Sequence, residues 1–340
     1  MPSFCRHNRF IERCPICSKT LPGLPERKPP PRARTRRAPA GRARPGSAAP
    51  GASWGAEAAR RGPAAEALSV RREQRASDDG YRSQLLPGLR ASADARRLAE
   101  EIGFSGGRLQ ALASSPPDLY GEIVALADED LEQATWACVL TAYLCPLEGE
   151  APFAGIRLAL SQDRGTLEDL GQIPLGPRTC HDRARGPETL VAYRRWIAQA
   201  SSARLAFNGD PGWSAQRRFE RLFERLALPG FARRGRYELL VLLGRLGLYE
   251  LRADSLHLTG GRGPSASDPA TVAAKRVFAI GDPLHLERRS TALAAALSVP
   301  IETLDLALAN WDAGERATLG FPPETVDRQA LAQAHEALGL

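Results

Sequence analysis

Leu228–Leu258 reads LPGFARRGRYELLVLLGRLGLYELRADSLHL. Leu228-Pro229-Gly230-Phe231 is a tight-turn signal, because proline presets one turn residue and glycine accepts the left-handed backbone at the next. Arg233, Arg234 and Arg236 follow at once, then a mostly apolar helix over Tyr237–Leu246, then Asp254-Ser255-Leu256-His257-Leu258. A turn that offers the Gly230–Ala232 amides and three arginines to an anion, joined to one carboxylate, is a way for a protein to hold DNA while acting on a base. The competing reading is an ordinary connection between two helices, with solvated arginines and an Asp254 that caps a turn. The residues of this stretch leave both open.

Outward from the turn, the pattern is helical. Trp136, Val139, Leu140 and Tyr143 recur at i, i+3, i+4, i+7, as do Phe219, Leu222, Phe223 and Leu226, while Ile301, Leu304, Leu308 and Trp311 form a further stripe. Leu239–Leu243 is apolar all round and predicts a helix packed on every side. Asp282-Pro283 reads as an N-cap followed by proline at the first helical position, and Pro300 and Pro322-Pro323 precede later helices. Gln162–Arg185, with several Gly and Pro, reads as an irregular connection. Sustained alternation of period two is absent, so an all-α body is expected over residues 81–340.

The chain has 340 residues and a net charge of +7, and that charge is local. Arg27, Lys28, Arg32, Arg34, Arg36, Arg37, Arg42 and Arg44 contribute +8 with no acid among them, so the remainder sums to 7 − 8 = −1. Residues 21–80, rich in Pro, Ala, Gly and Arg and without apolar periodicity, read as a disordered basic linker of the kind that grips phosphate backbones without reading sequence. Before it, residues 1–20 carry Cys5-x-His7 and Cys14-Pro15-Ile16-Cys17. Cys5, His7, Cys14 and Cys17 make a closed tetrahedral set in a segment too short to have its own core, so a structural Zn2+ knuckle is expected there. An unmetallated thiol cluster is the alternative.

Of six cysteines, three crowd the first 17 residues and the rest are scattered, which does not read as a secreted disulfide scaffold. Cys138 and Cys145 read as core residues, and His181 lacks a second Cys/His pair for a metal. No leader and no stretch of about 20 apolar residues is apparent. A cytoplasmic protein with reduced thiols and no membrane partner is the expectation, and the high Ala, Arg and Gly usage fits a GC-rich bacterial genome. The absence of a G-x-x-x-x-G-K-[ST] loop excludes a P-loop nucleotide motor.

The order turn, apolar helix, acid resembles the helix-hairpin-helix DNA glycosylase superfamily, in which an L-P-G-x-G hairpin leads through a buried helix to a catalytic Asp. Here Ala232 stands at the second glycine, and Asp254 lies slightly further on. The phrases CRHNRFIERCPICSK (5–19), LTAYLCPLEGEAPFAGI (140–156) and FAIGDPLHLERR (278–289) resemble a narrower branch, the third clade of the α-glutamyl/putrescinyl thymine pyrophosphorylases. The resemblance implies a helical DNA glycosylase-like domain and DNA as partner. Its implied reaction displaces pyrophosphate from 5-hydroxymethyluracil pyrophosphate in DNA with an amine such as glutamate or putrescine. That chemistry requires cations for the departing pyrophosphate, for which Arg288, Arg289, Lys275 and Arg276 are candidates beside the turn arginines. It also requires a carboxylate to take the amine proton, Asp254 or Asp282. A monofunctional glycosylase and a non-catalytic zinc-containing DNA-binding protein are the alternatives. The superfamily's Schiff-base lysine corresponds to Arg234, which cannot form that adduct because its guanidinium stays protonated. The bland readings are Asp282 as an N-cap and the paired arginines as a solvated face.

Overall fold

In a computed structural model, residues 76–162, 170, 172–258 and 268–340 are described. The chain divides into Met1–Leu68 and Ser69–Leu340, and the first unit lies outside the described residues. The expected knuckle over 1–20 and almost all of the expected linker over 21–80 therefore fall outside them as well.

The described residues form twelve α-helices and no strand, as the missing period-two alternation predicts. They are α1 (Ser92–Ser114), α2 (Asp118–Glu129), α3 (Leu131–Leu144), α4 (Ala154–Gln162), α5 (Glu188–Ala200), α6 (Ala203–Asn208), α7 (Ala215–Arg225), α8 (Arg233–Arg245), α9 (Pro269–Phe278), α10 (Pro283–Ala296), α11 (Glu302–Ala313) and α12 (Arg328–Leu338). No helix is long and apolar enough to cross a membrane among these residues.

Local chemistry sets the boundaries. Asp130, Ser202, Ser214, Asp268, Asp282 and Asp327 each accept an amide proton from the first turn of α3, α6, α7, α9, α10 and α12, where helical N–H groups have no carbonyl of their own. Proline occupies the first turn of α9 and α10, where its missing N–H costs nothing.

Two central helices organise the packing. α3, buried along most of its length from Ala134 to Leu144, carries α2, α4 and α8 against it. α11 lies between α1 and α9, with α12 on the far side of α1. α1 also touches α8, and one hydrophobic core runs through both groups. Every member of the three stripes read from the sequence is buried, from Leu140, Leu222, Leu226, Leu304 and Leu308 at 0% exposure to Ile301 at 8%. Leu239–Leu243, polar-free, is inside on all faces. The described part of the Gln162–Arg185 stretch runs without regular helix from α4 to α5.

Candidate functional site

The turn between α7 and α8 forms where Pro229 and Gly230 place it. Phe231 N–H donates to the Leu228 carbonyl at 3.0 Å, and Gly230 takes φ +75°, the left-handed value a type II turn needs at its third residue. Space also demands glycine, since a Cβ at position 230 would stand 2.4 Å from Thr189 Oγ1. That hydroxyl donates to the Pro229 carbonyl at 2.7 Å and ties the turn to α5. The Ala232 and Gly235 amides face the Cys180 sulfur, which is buried.

The arginines after the turn, expected to bind phosphate, make the following contacts within the protein. Arg233 is 4% exposed. Its Nε donates to Asp268 at 2.8 Å, its Nη1 to the Leu256 carbonyl at 2.6 Å, and its Nη2 to Asp305. Arg234 turns inward to the carbonyls of Arg178 and Thr179. Arg236 donates to the Phe223 carbonyl at 3.0 Å and lies over the Phe223 ring. All three guanidinium groups make hydrogen bonds within the protein; Arg233 is buried, and Arg234 and Arg236 are half-buried. Burial alone would raise the Asp268 carboxyl, but the Arg233 charge and the Thr271 hydrogen bonds override it and hold the group low. Burial likewise opposes the Arg233 charge, and Asp305 and Asp268 more than offset it.

This network reaches the segment the sequence singled out. Ala253–Leu258 is neither helix nor strand, yet its backbone is clamped at five points. Ala253 N–H donates to Glu302 at 3.1 Å, Leu256 N–H to Glu287 at 2.8 Å, and Leu258 N–H to the other Glu287 oxygen. Arg233 grips the Leu256 carbonyl, and Tyr237 Oη donates to the Ser255 carbonyl at 3.2 Å. Ala253, Leu256 and Leu258 are buried, whereas Asp254 is exposed. Burying Glu302 and Arg233 and half-burying Glu287 carries a desolvation cost, and what that cost secures is a fixed loop with Asp254 outward. Its charge is felt inside: it raises the pKa of both Glu287 and His257. Burial, the larger cause, shifts Glu287 upward as well.

His257 adopts φ +53° and stacks on Phe223 at 4.2 Å and on Phe219 at 6.0 Å. Burial lowers its pKa from 6.5 to about 4, so the ring is neutral near pH 7. Between those two values the unfolded chain binds a proton that the folded chain refuses, so stability falls as pH drops from 6.5 towards 4. The expected loss is up to about 3 kcal/mol. Urea unfolding of the wild type and His257→Asn at pH 7 and pH 4 checks this: Asn tolerates the left-handed backbone, and parallel pH curves for the two proteins would show that the imidazole is not the source.

The remaining expected residues are placed as follows. Asp282 caps α10 and accepts the His285 N–H at 3.1 Å. Lys275 is half-buried on α9, and Arg276 pairs with Asp312. Arg288 and Arg289 are exposed on α10, with Arg289 donating to the Gln84 carbonyl at 3.3 Å. Arg233 thus reaches the Leu256 carbonyl, two residues from Asp254 in the same loop. Glu287 and Glu302, which do most to fix the loop, were missed by the sequence reading: inside FAIGDPLHLERR, Glu287 looks like one more solvated charge of a helix. Cys138 and Cys145 are buried as expected. No group of three or more His, Cys, Asp or Glu stands ready for a metal among the described residues; Cys5, His7, Cys14 and Cys17 lie outside them.

Among the described residues the protein is all-helical and carries an exposed aspartate on a loop whose backbone is clamped, next to a tight inter-helical turn. Residues 179–318 match the family model of the alpha-glutamyl/putrescinyl thymine pyrophosphorylases, clade 3. The matched stretch contains the turn, α8, the clamped loop and α10. No curated protein and no solved structure matches the chain.

Proposed function

We propose that this protein hypermodifies thymine-type bases in DNA, displacing pyrophosphate from a 5-hydroxymethyluracil pyrophosphate with an amine such as glutamate or putrescine. The family match supports DNA modification with DNA as substrate partner. The observation that carries the site is the clamped Ala253–Leu258 loop, which holds Asp254 outward from buried anchors. In the reaction the amine nitrogen forms a bond to the base's 5-methylene carbon. The carbon–oxygen bond to pyrophosphate breaks, and the bonding pair leaves with the pyrophosphate. The proton lost by the nitrogen passes to Asp254, an exposed carboxylate whose backbone is held in place before substrate arrives.

The turn, apolar helix and acid also fit a helix-hairpin-helix glycosylase-like reading, and a monofunctional glycosylase would use the same carboxylate. Arg234, occupied by two carbonyls, supports neither Schiff-base nor lyase chemistry. A structural Zn2+ on Cys5, His7, Cys14 and Cys17 is proposed on donor chemistry alone, and metal analysis of the full chain checks it, with about one zinc expected. Incubation with DNA carrying 5-hydroxymethyluracil pyrophosphate and each amine, followed by mass spectrometry of the nucleosides, tests the reaction. An amine-bearing thymine with released pyrophosphate is expected; free base with an abasic site would establish the glycosylase instead.

A further inference from the structure

A chain of hydrogen bonds that ends on the turn fixes where its protons sit. The Thr189 hydroxyl proton is committed to the Pro229 carbonyl at 2.7 Å. Thr189 also hydrogen-bonds Tyr143, and towards that partner its oxygen can only accept. The single Tyr143 hydroxyl proton therefore goes to Thr189, and Tyr143 Oη is left as an acceptor. It lies 3.0 Å from His181 Nδ1, which must then carry the hydrogen. Packing holds the partners in place: Tyr143 meets the His181 and Phe231 rings edge to face, at 5.5 Å and 6.2 Å.

With Nδ1 protonated, a neutral imidazole keeps its lone pair on Nε2. Burial lowers the His181 pKa from 6.5, Arg183 adds to the fall and Asp182 opposes it, so the ring is neutral near pH 7. Its Nε2 has no partner among the described residues and, unlike those of His257 and His335, is not sealed inside the protein. Such an acceptor cannot serve a DNA phosphate, which offers only acceptors of its own; it serves an N–H or O–H group. The segment that carries His181 is tied to the same helix end as the Asp254 loop. Arg234 binds the Arg178 and Thr179 carbonyls, Arg233 binds the Leu256 carbonyl, and Asp305 pairs with both Arg178 and Arg233.

We infer that Tyr143 and Thr189 hold His181 in the Nδ1–H tautomer, and that its Nε2 accepts a hydrogen bond from the attacking amine. The tautomer follows from the hydrogen bonds alone, whereas the amine rests on the reaction proposed above. On that reading the amine is the donor-rich substrate: as an ammonium it brings three N–H groups, of which Nε2 takes one.

NMR of the full-length protein labelled with 15N-histidine reads the tautomer at pH 7, because protonated and bare ring nitrogens give well separated signals. Loss of one set in His181→Asn identifies His181 among the five histidines. Wild type is expected to carry the hydrogen on Nδ1. Thr189→Val, nearly the same in shape, frees the Tyr143 proton for Nδ1 and is expected to move the ring hydrogen to Nε2. A wild-type ring protonated on Nε2, or an unaltered ring in Thr189→Val, would overturn the assignment. Kinetics test the amine. His181→Asn keeps a donor for Tyr143 but lacks Nε2, and is expected to raise the KM for the amine about tenfold, the scale of one lost hydrogen bond, with the KM for DNA unchanged. His181→Gln, whose longer amide reaches the Nε2 position, is expected to recover part of that loss. An unchanged amine KM in His181→Asn, or a rise in the KM for DNA instead, removes the amine from Nε2. Should wild type transfer no amine, the reaction falls and the amine contact with it, while the spectra still decide the tautomer.

Discussion

Asp254→Asn is expected to lower turnover by about 10²- to 10⁴-fold while leaving DNA affinity and thermal stability close to wild type. The two side chains have nearly the same shape, and Asp254 is exposed, so the substitution removes charge without opening a cavity. Its effect on the clamp is favourable. Burial raises the Glu287 pKa and the Asp254 charge adds to that rise, so removing the charge makes the half-buried carboxylate easier to keep ionised on the Leu256 and Leu258 amides. A fall in activity therefore cannot be laid to a loosened loop. Single-turnover kinetics with anisotropy and melting on the same preparations decide the matter; an active Asp254→Asn protein would end the catalytic assignment.

The second large effect concerns folding. Arg233→Met is expected to destabilise the domain by about 3–5 kcal/mol, the range for breaking a buried ion pair from one side. The substitution strands Asp268 and Asp305 without their central counter-charge and leaves the Leu256 carbonyl without its donor. Asp305 keeps Arg178 at 3.3 Å, and Asp268 keeps Thr271, which limits the loss. Arg233→Lys recovers part of it, because an ammonium cannot match the planar fork that serves three acceptors in different directions. Urea unfolding of the three proteins gives the comparison. A loss below about 1 kcal/mol for Arg233→Met, the scale of an exposed pair, would mean that the network is not a structural centre.

These two residues mark what could be read early. Asp254 stood out because it follows a tight turn and an apolar helix in the order that the superfamily resemblance implies, and the fold leaves it exposed. Arg233 was misplaced because RRGR beside a tight turn looks the same whether its guanidinium groups face phosphate or protein. Nothing within the turn distinguishes them: the acids that draw Arg233 inward are 35 and 72 residues away. Glu287 passed unnoticed for the same reason, since the amides it holds are 29 and 31 residues before it.

Local rules, acting within a few residues, determined from the sequence alone that the body is helical, where Pro229 and Gly230 turn the chain, and that Asp282 caps a helix. They also determined which stripes are buried, since a 3.6-residue period has one apolar face whatever it packs against. The direction of each charged side chain was decided by the tertiary structure. A buried charge goes where a partner can repay its desolvation, and those partners arrive from α9, α10 and α11 when the chain is folded. Hence the turn could be placed from thirty residues, whereas the loop that holds Asp254 required the whole domain.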